Sequence, residues 1–153
     1  MKYGLDIASC WDLEFIAERM DPADVAEVWA MGRKTPIEAL KASAKVSRET
    51  FVGLANHEPI CAFGIGQRTL MDNVGIPWLL GTPEIRKHPR PFLAASKDWI
   101  QRAAQDYERL ENWVDVRHTR AVKWLKWLGF TLDAPAPFGP DRMLFHRFHM
   151  GGR

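Results

Sequence analysis

The stretch His118-Thr-Arg-Ala-Val-Lys-Trp-Leu-Lys-Trp-Leu-Gly129-Phe130 carries the clearest pattern in the chain. Its apolar residues recur at helical spacing, and basic residues occupy the positions between them. A glycine directly after such a helix is typical of a C-terminal cap, because it adopts the left-handed conformation without steric cost. The stretch therefore predicts an amphipathic helix, His118–Leu128, that ends at Gly129 and leads into an extended segment at Phe130. The apolar face consists of Ala121, Trp124, Leu125 and Leu128.

The segments around this helix alternate between strand and helix patterns. Asn112–Val116 predicts a strand just before it. Further upstream, a polar, proline-broken loop (Glu84–Pro91) leads into a second amphipathic helix. The apolar stripe of that helix is Phe92, Ser96, Trp99, Ile100, Ala103 and Tyr107. Short apolar runs predict three more strands: Thr50–Ala55, Ile60–Gln67 after a turn at 56–59, and Gly75–Leu80.

Helix signals dominate the first third of the chain. Asp12 is the expected N-cap of a short helix through Met20. Asp21-Pro22 is expected to start a helix that buries Val25, Val28 and Trp29 and ends at Gly32. Thr35-Pro36-Ile37-Glu38 is a capping-box pattern, followed by Leu40 and Ala44 on the same face.

The C-terminal part adds a stiff proline-rich loop, Asp133–Pro140, and an alternating strand, Met143–Met150. The order is helices, three strands, helix, strand, helix, strand, strand. It predicts an α+β fold with a mostly antiparallel sheet and at least one strand–helix–strand crossover. We expect one domain over residues 1–153.

The composition excludes several classes of protein. The 153 residues are 46% hydrophobic and 26% charged, and 21 Lys+Arg against 19 Asp+Glu give a net charge of +2. That balance argues against a dedicated nucleic-acid binder. No apolar run approaches the roughly 20 residues of a membrane span, and the N-terminus lacks a signal-peptide pattern. Cys10 and Cys61 have no metal or redox spacing and are expected to be buried thiols in a reducing compartment. The 7 tryptophans are expected mainly to fill the core.

The helix and the element order resemble the GCN5-related N-acetyltransferase (GNAT) superfamily. The second conserved block of that family is Asn-x-x-Ala-hydrophobic-x-x-Tyr-x-x-hydrophobic-Gly-Phe. Ala121, Val122, Leu128, Gly129 and Phe130 match it in register. The resemblance implies a three-layer GNAT-like domain whose central sheet is splayed near Gly81, leaving backbone groups of Trp78–Gly81 unpaired with the neighbouring strand.

The chain also departs from the family's pattern. Active members wrap the pyrophosphate of acetyl-CoA with a glycine-rich loop, whose backbone N–H groups turn inward at a helix N-terminus. The corresponding stretch here, Arg86–Phe92, contains no glycine, and Pro89 and Pro91 have no N–H to donate. The family's general-acid tyrosine aligns with Leu125, and its common asparagine aligns with His118.

A narrower resemblance is to a small family of internal virion, or core, proteins of short-tailed bacteriophages. It is carried by Asp21–Trp29, Pro77–Thr82, Asn112–Asp115 and Trp124–Phe130. This resemblance implies a phage component in the virion or in the cytoplasm of the infected host. Its expected role is in virion assembly or host interaction, and its expected partners are other virion proteins or a host protein. Catalysis is expected to be absent or weak, and no cofactor is certain. The basic face Arg117, Arg120, Lys123, Lys126 is then a solvated surface or a protein contact.

The alternative is an active N-acetyltransferase that uses acetyl-CoA and acts on an amine of a small molecule or protein. The N–H of Leu80 or a neighbour would polarise the thioester carbonyl. Asp115 or Glu84 would take a proton, and His118 is the remaining candidate acid. His146 and His149 are expected on opposite faces of a strand, so no metal site is predicted. The residues implied to contact acetyl-CoA are Trp78, Leu79, Leu80, Gly81, Thr82, Arg86, Lys87, His88 and Arg90.

Overall fold

The computed structural model describes residues 2–67, 69, 71 and 73–151. The chain folds into helices and the strands of one mixed sheet. The helices are α1 (Cys10–Glu18), α2 (Pro22–Gly32), α3 (Pro36–Lys45), a 3₁₀ helix (Pro83–Lys87), α4 (Pro89–Asp106) and α5 (Thr119–Leu128). The strands are β1 (Tyr3–Ile7), β2 (Ser47–Ala55), β3 (Glu58–Gly66), β4 (Val74–Gly81), β5 (Arg109–Asp115), β6 (Thr131–Leu132), β7 (Ala136–Phe138) and β8 (Met143–Gly151).

The strands form one sheet in the order β1-β2-β3-β4-β5-β8-β6, and β7 also pairs with β8. Neighbouring strands are antiparallel except β4 and β5, which run parallel and pair only at Val74–Arg109 and Gly75–Leu110. Beyond Gly75 the two strands separate. The predicted α+β class and the splay of the sheet are therefore confirmed, and Trp78–Gly81 pair with β3 but not with β5.

Helices cover both faces of the sheet. On one face, α1, α2 and α3 pack against β2, β3 and β4 around fully buried Ile16 and Leu40. On the other face, α4 and α5 pack around Ile100, Leu110 and Leu125. The core is thus divided between the two faces, and the splay lies between its two halves.

The predicted caps of the later helices are confirmed. Thr35 and Glu38 form the reciprocal capping box of α3, and Asp21 accepts a hydrogen bond from the N–H of Ala23 at the start of α2 (3.0 Å). Gly129 ends α5 with φ 103°, a conformation that favours glycine. His118 is the N-cap of α5, so that helix begins one residue later than expected.

Several local predictions are wrong. The strand β1 was not expected, because all five of its residues are exposed and Gly4 and Asp6 are weak strand formers. The N-cap of α1 is Ser9, and Asp12 is its capping-box partner three residues later. The Asp133–Pro140 segment contains the short strand β7, where Phe138 stacks on Trp113. Two residues expected inside, Cys10 and Trp29, are exposed.

Candidate functional site

The splay opens a cavity of about 210 Å³ between β4 and β5. All five residues of the predicted segment Trp78–Thr82 line it. Its walls are mainly apolar and aromatic side chains from α4, α5 and β8, whereas charged side chains gather at the wide end of the splay. The charged residues there are Asp21, Asp24, Glu27, Arg86, His118 and Arg120.

One backbone unit of β4 faces this cavity without a partner. Gly81 points away from β3, since its N–H donates to Oδ2 of Asp24 (2.9 Å) and its carbonyl accepts from the N–H of Asp21 (2.8 Å). Strand alternation then turns Leu79 the same way and Leu80 toward β3. In the described part of the chain, the N–H and carbonyl of Leu79 have no hydrogen-bond partner. Leu79, a neighbour of Leu80, is therefore the residue of this segment whose backbone N–H is free at the cavity wall.

Two carboxylates of α2 contact the ends of the separated strands. Asp24 contacts Gly81 of β4 and also lies 2.6 Å, through Oδ1, from Nε2 of His118, just beyond β5. Glu27 accepts a hydrogen bond from the backbone N–H of Asp115 (2.9 Å). These contacts satisfy backbone groups that a fully paired sheet would have satisfied with the neighbouring strand.

Among the residues that line the cavity, Glu27 has the most strongly shifted pKa. Burial of its carboxyl group raises the pKa of Glu27 to about 7, and the nearby charges of Asp24 and Asp115 act in the same direction. The positive charge of His118 and the hydrogen bond from Asp115 oppose the rise. A cavity-lining carboxyl group with a pKa near neutrality is suited to exchange protons.

His118 is held on both sides of its ring. Burial favours the neutral imidazole, but the hydrogen bond to Asp24 and the charges of Glu27 and Asp21 outweigh it, so the pKa of His118 is raised. Its Nδ1 accepts a hydrogen bond from the backbone N–H of Ala121 (3.4 Å). Nδ1 and Nε2 therefore both have partners.

The two carboxylates predicted as proton acceptors lie in different surroundings. Asp115 is buried at the end of β5, and both of its oxygens accept hydrogen bonds from the Arg117 guanidinium (2.6–3.1 Å). Burial alone would raise the pKa of Asp115, but these bonds lower it. Glu84 is on the 3₁₀ helix, does not line the cavity, and pairs with Lys87 (2.8 Å).

The structure also separates the later residues implied to contact acetyl-CoA: Arg86, Lys87, His88 and Arg90. Arg86 lines the cavity and forms an ion pair with Asp21. Lys87 is tied to Glu84, and Arg90 is exposed in the first turn of α4. His88 is buried against Tyr3, whose hydroxyl group lies 2.9 Å from Nδ1 of His88, and it lines a smaller apolar pocket instead.

Sequence reasoning missed three residues at the wide end of the cavity. Asp24 and Glu27 stand three and six residues after the N-cap Asp21, a spacing that places all three on one face of α2. This spacing was the available signal, but acidic residues in a helix more often face solvent. Arg120 was predicted on the solvated face of α5; its side chain is exposed and also lines the cavity.

Comparison with known proteins shows the fold: it is that of the GNAT acetyltransferases. The matched structures include Vibrio cholerae spermidine N-acetyltransferase in complex with CoA and spermine, with 15% identity, 97% and 94% of the two chains covered, and a TM-score of 0.70. The yncA protein of Salmonella typhimurium, solved with its cofactor acetyl-CoA, has 16% identity, coverage of 99% and 94%, and a TM-score of 0.71. Ard1 from Thermoplasma volcanium has 13% identity, coverage of 98% and 97%, and a TM-score of 0.72. No family model and no curated protein matches the sequence.

The described residues are also informative about membrane spans and metal sites. None of their helices has the length and hydropathy of a membrane span. Their His, Cys, Asp and Glu side chains include no group of three placed to hold a metal ion.

Proposed function

We propose that the chain is an N-acyltransferase that binds an acyl-CoA thioester, such as acetyl-CoA, in the β4–β5 cavity and transfers the acyl group to an amine. The observation that carries the proposal is the unpartnered N–H of Leu79 on the cavity wall. A fixed backbone donor beside a mainly apolar cavity is suited to polarise a thioester carbonyl. The structural neighbours solved with CoA and acetyl-CoA support the same use of this fold.

The residues present fit the pantetheine arm of such a cofactor. The arm is long and amphipathic, and the cavity offers apolar walls together with the free backbone N–H and carbonyl of Leu79. The peptide units on either side are occupied, since the carbonyl of Pro77 accepts from Asn112 and Gly81 is bonded to α2. The arm would therefore align against β4 at Leu79. Acetyl-CoA would supply the activated acyl group there.

Glu27 is the best-placed proton acceptor for the amine. It lines the cavity, only one of its oxygens is bonded to Asp115, and a pKa of about 7 leaves a large fraction ionised at neutral pH. Asp115 is less suited, because Arg117 occupies both of its oxygens and the pKa of Asp115 is lowered. Glu84 lies outside the cavity lining.

Protonation of the departing thiolate is the step for which this site has no well-placed proton donor. Leu125 stands where the family pattern has tyrosine, and both ring nitrogens of His118 are hydrogen-bonded in this structure. His118 could donate its Nε2 proton only after breaking its bond to Asp24. We therefore expect turnover to be slow.

Calorimetric titration with acetyl-CoA, followed by a thiol-release assay with a panel of primary amines, tests the proposal. Binding and amine-dependent thiol release, both lost in a Leu79→Pro variant that still folds, are the expected results. Because a ligand of the native state raises apparent stability, no heat and no thermal shift at millimolar acetyl-CoA would overturn it.

A second candidate is the phage role, with catalysis weak or absent. It is supported by the exposed tryptophans Trp11, Trp29 and Trp127 (60%, 50% and 46% exposed), which are suited to protein contacts, and by the prolines at the start of α4. In this role the chain acts in virion assembly or on a host protein, within the particle or the cytoplasm of the infected host. Mass spectrometry of purified particles is the test: detection supports the virion role, and consistent absence removes it.

A further inference from the structure

We propose that Arg86 and Arg120, held together by Asp21, form a side-chain clamp for the phosphate at the end of a phosphopantetheine arm. The inference rests on the proposed binding of a pantetheine thioester in the β4–β5 cavity. It assigns the donor class: a thioester on a phosphorylated pantetheine arm, recognised by two guanidinium groups and not by a glycine-rich backbone loop.

The clamp is built from both sides of the splay. Arg86 belongs to the 3₁₀ helix that follows β4, and Arg120 lies in the first turn of α5, which follows β5. Both approach the same atom, Oδ2 of Asp21; Arg86 forms a direct ion pair with it, and Nη1 of Arg120 lies 3.6 Å away. All three residues line the cavity. Two cations from opposite walls thus converge at its charged end.

Asp21 is fixed and leaves donors of both arginines unused. Its Oδ1 accepts from the N–H of Ala23, and its own N–H donates to the carbonyl of Gly81 (2.8 Å). The Asp21 side chain is only 11% exposed, while Arg86 and Arg120 are 43% and 57% exposed. Each guanidinium carries five N–H donors, so one carboxylate oxygen cannot satisfy the pair. The three side chains carry a net charge of +1 and keep N–H groups available for an anion.

The backbone of α4 offers little competition for this role. Pro89 and Pro91 lack an N–H, and the N–H of Phe92 donates to the carbonyl of His88 (3.2 Å). Among the first four residues of α4, only Arg90 retains a free N–H. Arginine side chains bind phosphate oxygens in bidentate geometry. The sequence therefore replaces a backbone cradle with side chains at the same end of the cavity.

Because both guanidinium groups approach one carboxylate oxygen, they are also placed to contact a single phosphate group. Free CoA and the prosthetic group of an acyl carrier protein both carry such a phosphate next to pantetheine. Titration of the full chain with pantetheine, 4′-phosphopantetheine, CoA and a bacterial holo-acyl carrier protein separates these contributions. We expect 4′-phosphopantetheine to bind at least tenfold more tightly than pantetheine. Whichever of CoA and the carrier protein binds more tightly identifies the source of the arm, and either result supports the clamp.

The variants Arg86→Ala/Arg120→Ala and Lys126→Ala/Arg102→Ala make a matched pair, since each removes two cations and only the first pair lines the cavity. The Arg86→Ala/Arg120→Ala variant should bind 4′-phosphopantetheine and CoA at least tenfold more weakly than wild type. Its affinity for pantetheine should fall by less than twofold. The second should change none of them by more than twofold. Equal losses in the two variants, or equal losses for pantetheine and CoA, would overturn the clamp.

The Asp21→Asn variant distinguishes the clamp from a simple folding defect, because the clamp predicts a gain in affinity and a folding defect predicts a loss. Asparagine keeps the side-chain oxygen that caps α2 but raises the net charge of the cluster from +1 to +2, so phosphate affinity should increase severalfold. A decrease would overturn the clamp. Pantetheine binding without any gain from phosphate would overturn the clamp alone, whereas no binding of any of the four ligands would overturn the clamp and the proposed function together.

Discussion

The carboxylate of Asp24 lies 2.6 Å from Nε2 of His118, and its other oxygen accepts the backbone N–H of Gly81 at 2.9 Å. One residue of α2 therefore joins the end of β4 to the start of α5 across the gap that separates β4 and β5. The wide end of the splay is held by side chains. Stability and the shape of the cavity should consequently depend on the same contacts.

Asp24→Ala should lower the free energy of unfolding by about 3 kcal/mol, because it leaves Gly81 and His118 without their buried partner. Asp24→Asn should cost clearly less, since its side-chain oxygen still accepts the Gly81 N–H. Urea denaturation at pH 6 measures both. Equal losses would show that the bond to Gly81 contributes little.

The Asp24–His118 pair should also make stability depend on pH. Because the pKa of His118 is raised in the folded state, its contribution is complete below the unfolded value of about 6.5 and is lost as pH rises through the folded pKa. Urea midpoints between pH 5 and 9 should therefore fall with rising pH, and His118→Gln should flatten this part of the curve. A variant with an unchanged slope would contradict the assignment.

Glu27→Gln should change both stability and activity. The folded pKa of Glu27, about 7, lies above its ordinary value near 4.5. Between these pH values the folded chain keeps a proton that the unfolded chain releases, so stability falls as pH rises. The variant lacks this loss, and the difference in pH dependence between pH 4.5 and 8 should be about 3 kcal/mol. Its acyl transfer should fall by about 10²–10⁴-fold.

The pH profile of wild-type transfer provides the second test of Glu27. The rate should rise with pH through about 7 as the carboxyl group ionises, and Glu27→Gln should lose that rise. Asp115→Asn serves as the comparison, because Asp115 is paired with Arg117. A rise that persists in Glu27→Gln and vanishes in Asp115→Asn would return the role of base to Asp115.

Leu79→Pro should abolish the proposed oxyanion donor without removing a sheet hydrogen bond, since the N–H of Leu79 points into the cavity. Leu79→Ala is the matched control: both variants lose the same apolar side chain, and only proline loses the N–H. Acyl transfer should be about 10²–10³-fold slower in the proline variant than in the alanine variant, at similar melting temperatures. Equal rates would exclude the N–H from the reaction.

Local sequence signals predicted much of the fold because they act through the backbone. The box of Thr35 and Glu38, the N-cap Asp21 and the left-handed Gly129 follow from neighbouring residues and were confirmed. Strand β1 was not predicted because it is an exposed edge strand: its pairing with β2 forms it, and its own composition does not favour a strand.

The site was less predictable because its contacts join distant parts of the sequence. Nothing local to Asp24 indicates a bond to a residue 94 positions away, and Arg120 reads as part of a solvated basic face. Asp115 was proposed from its position at a strand end, and His118 from its alignment with the family's asparagine. Their partners, Arg117, Glu27 and Asp24, depend on how α2 packs across the splay.

Gly75 provides a test of the root of the splay, where β4 and β5 still pair. A Cβ added there would lie 2.7 Å from Ile65, 2.9 Å from Leu110 and 3.0 Å from Tyr107, side chains of β3, β5 and the segment after α4. Because three different parts of the fold would have to give way, Gly75→Ala should cost about 1–3 kcal/mol. Gly4→Ala is the control, since its Cβ would meet nothing within 4 Å and the variant should stay within about 0.5 kcal/mol of wild type. Urea denaturation of both variants gives the comparison; a Gly75→Ala variant as stable as Gly4→Ala would show that the strands can separate further at no cost.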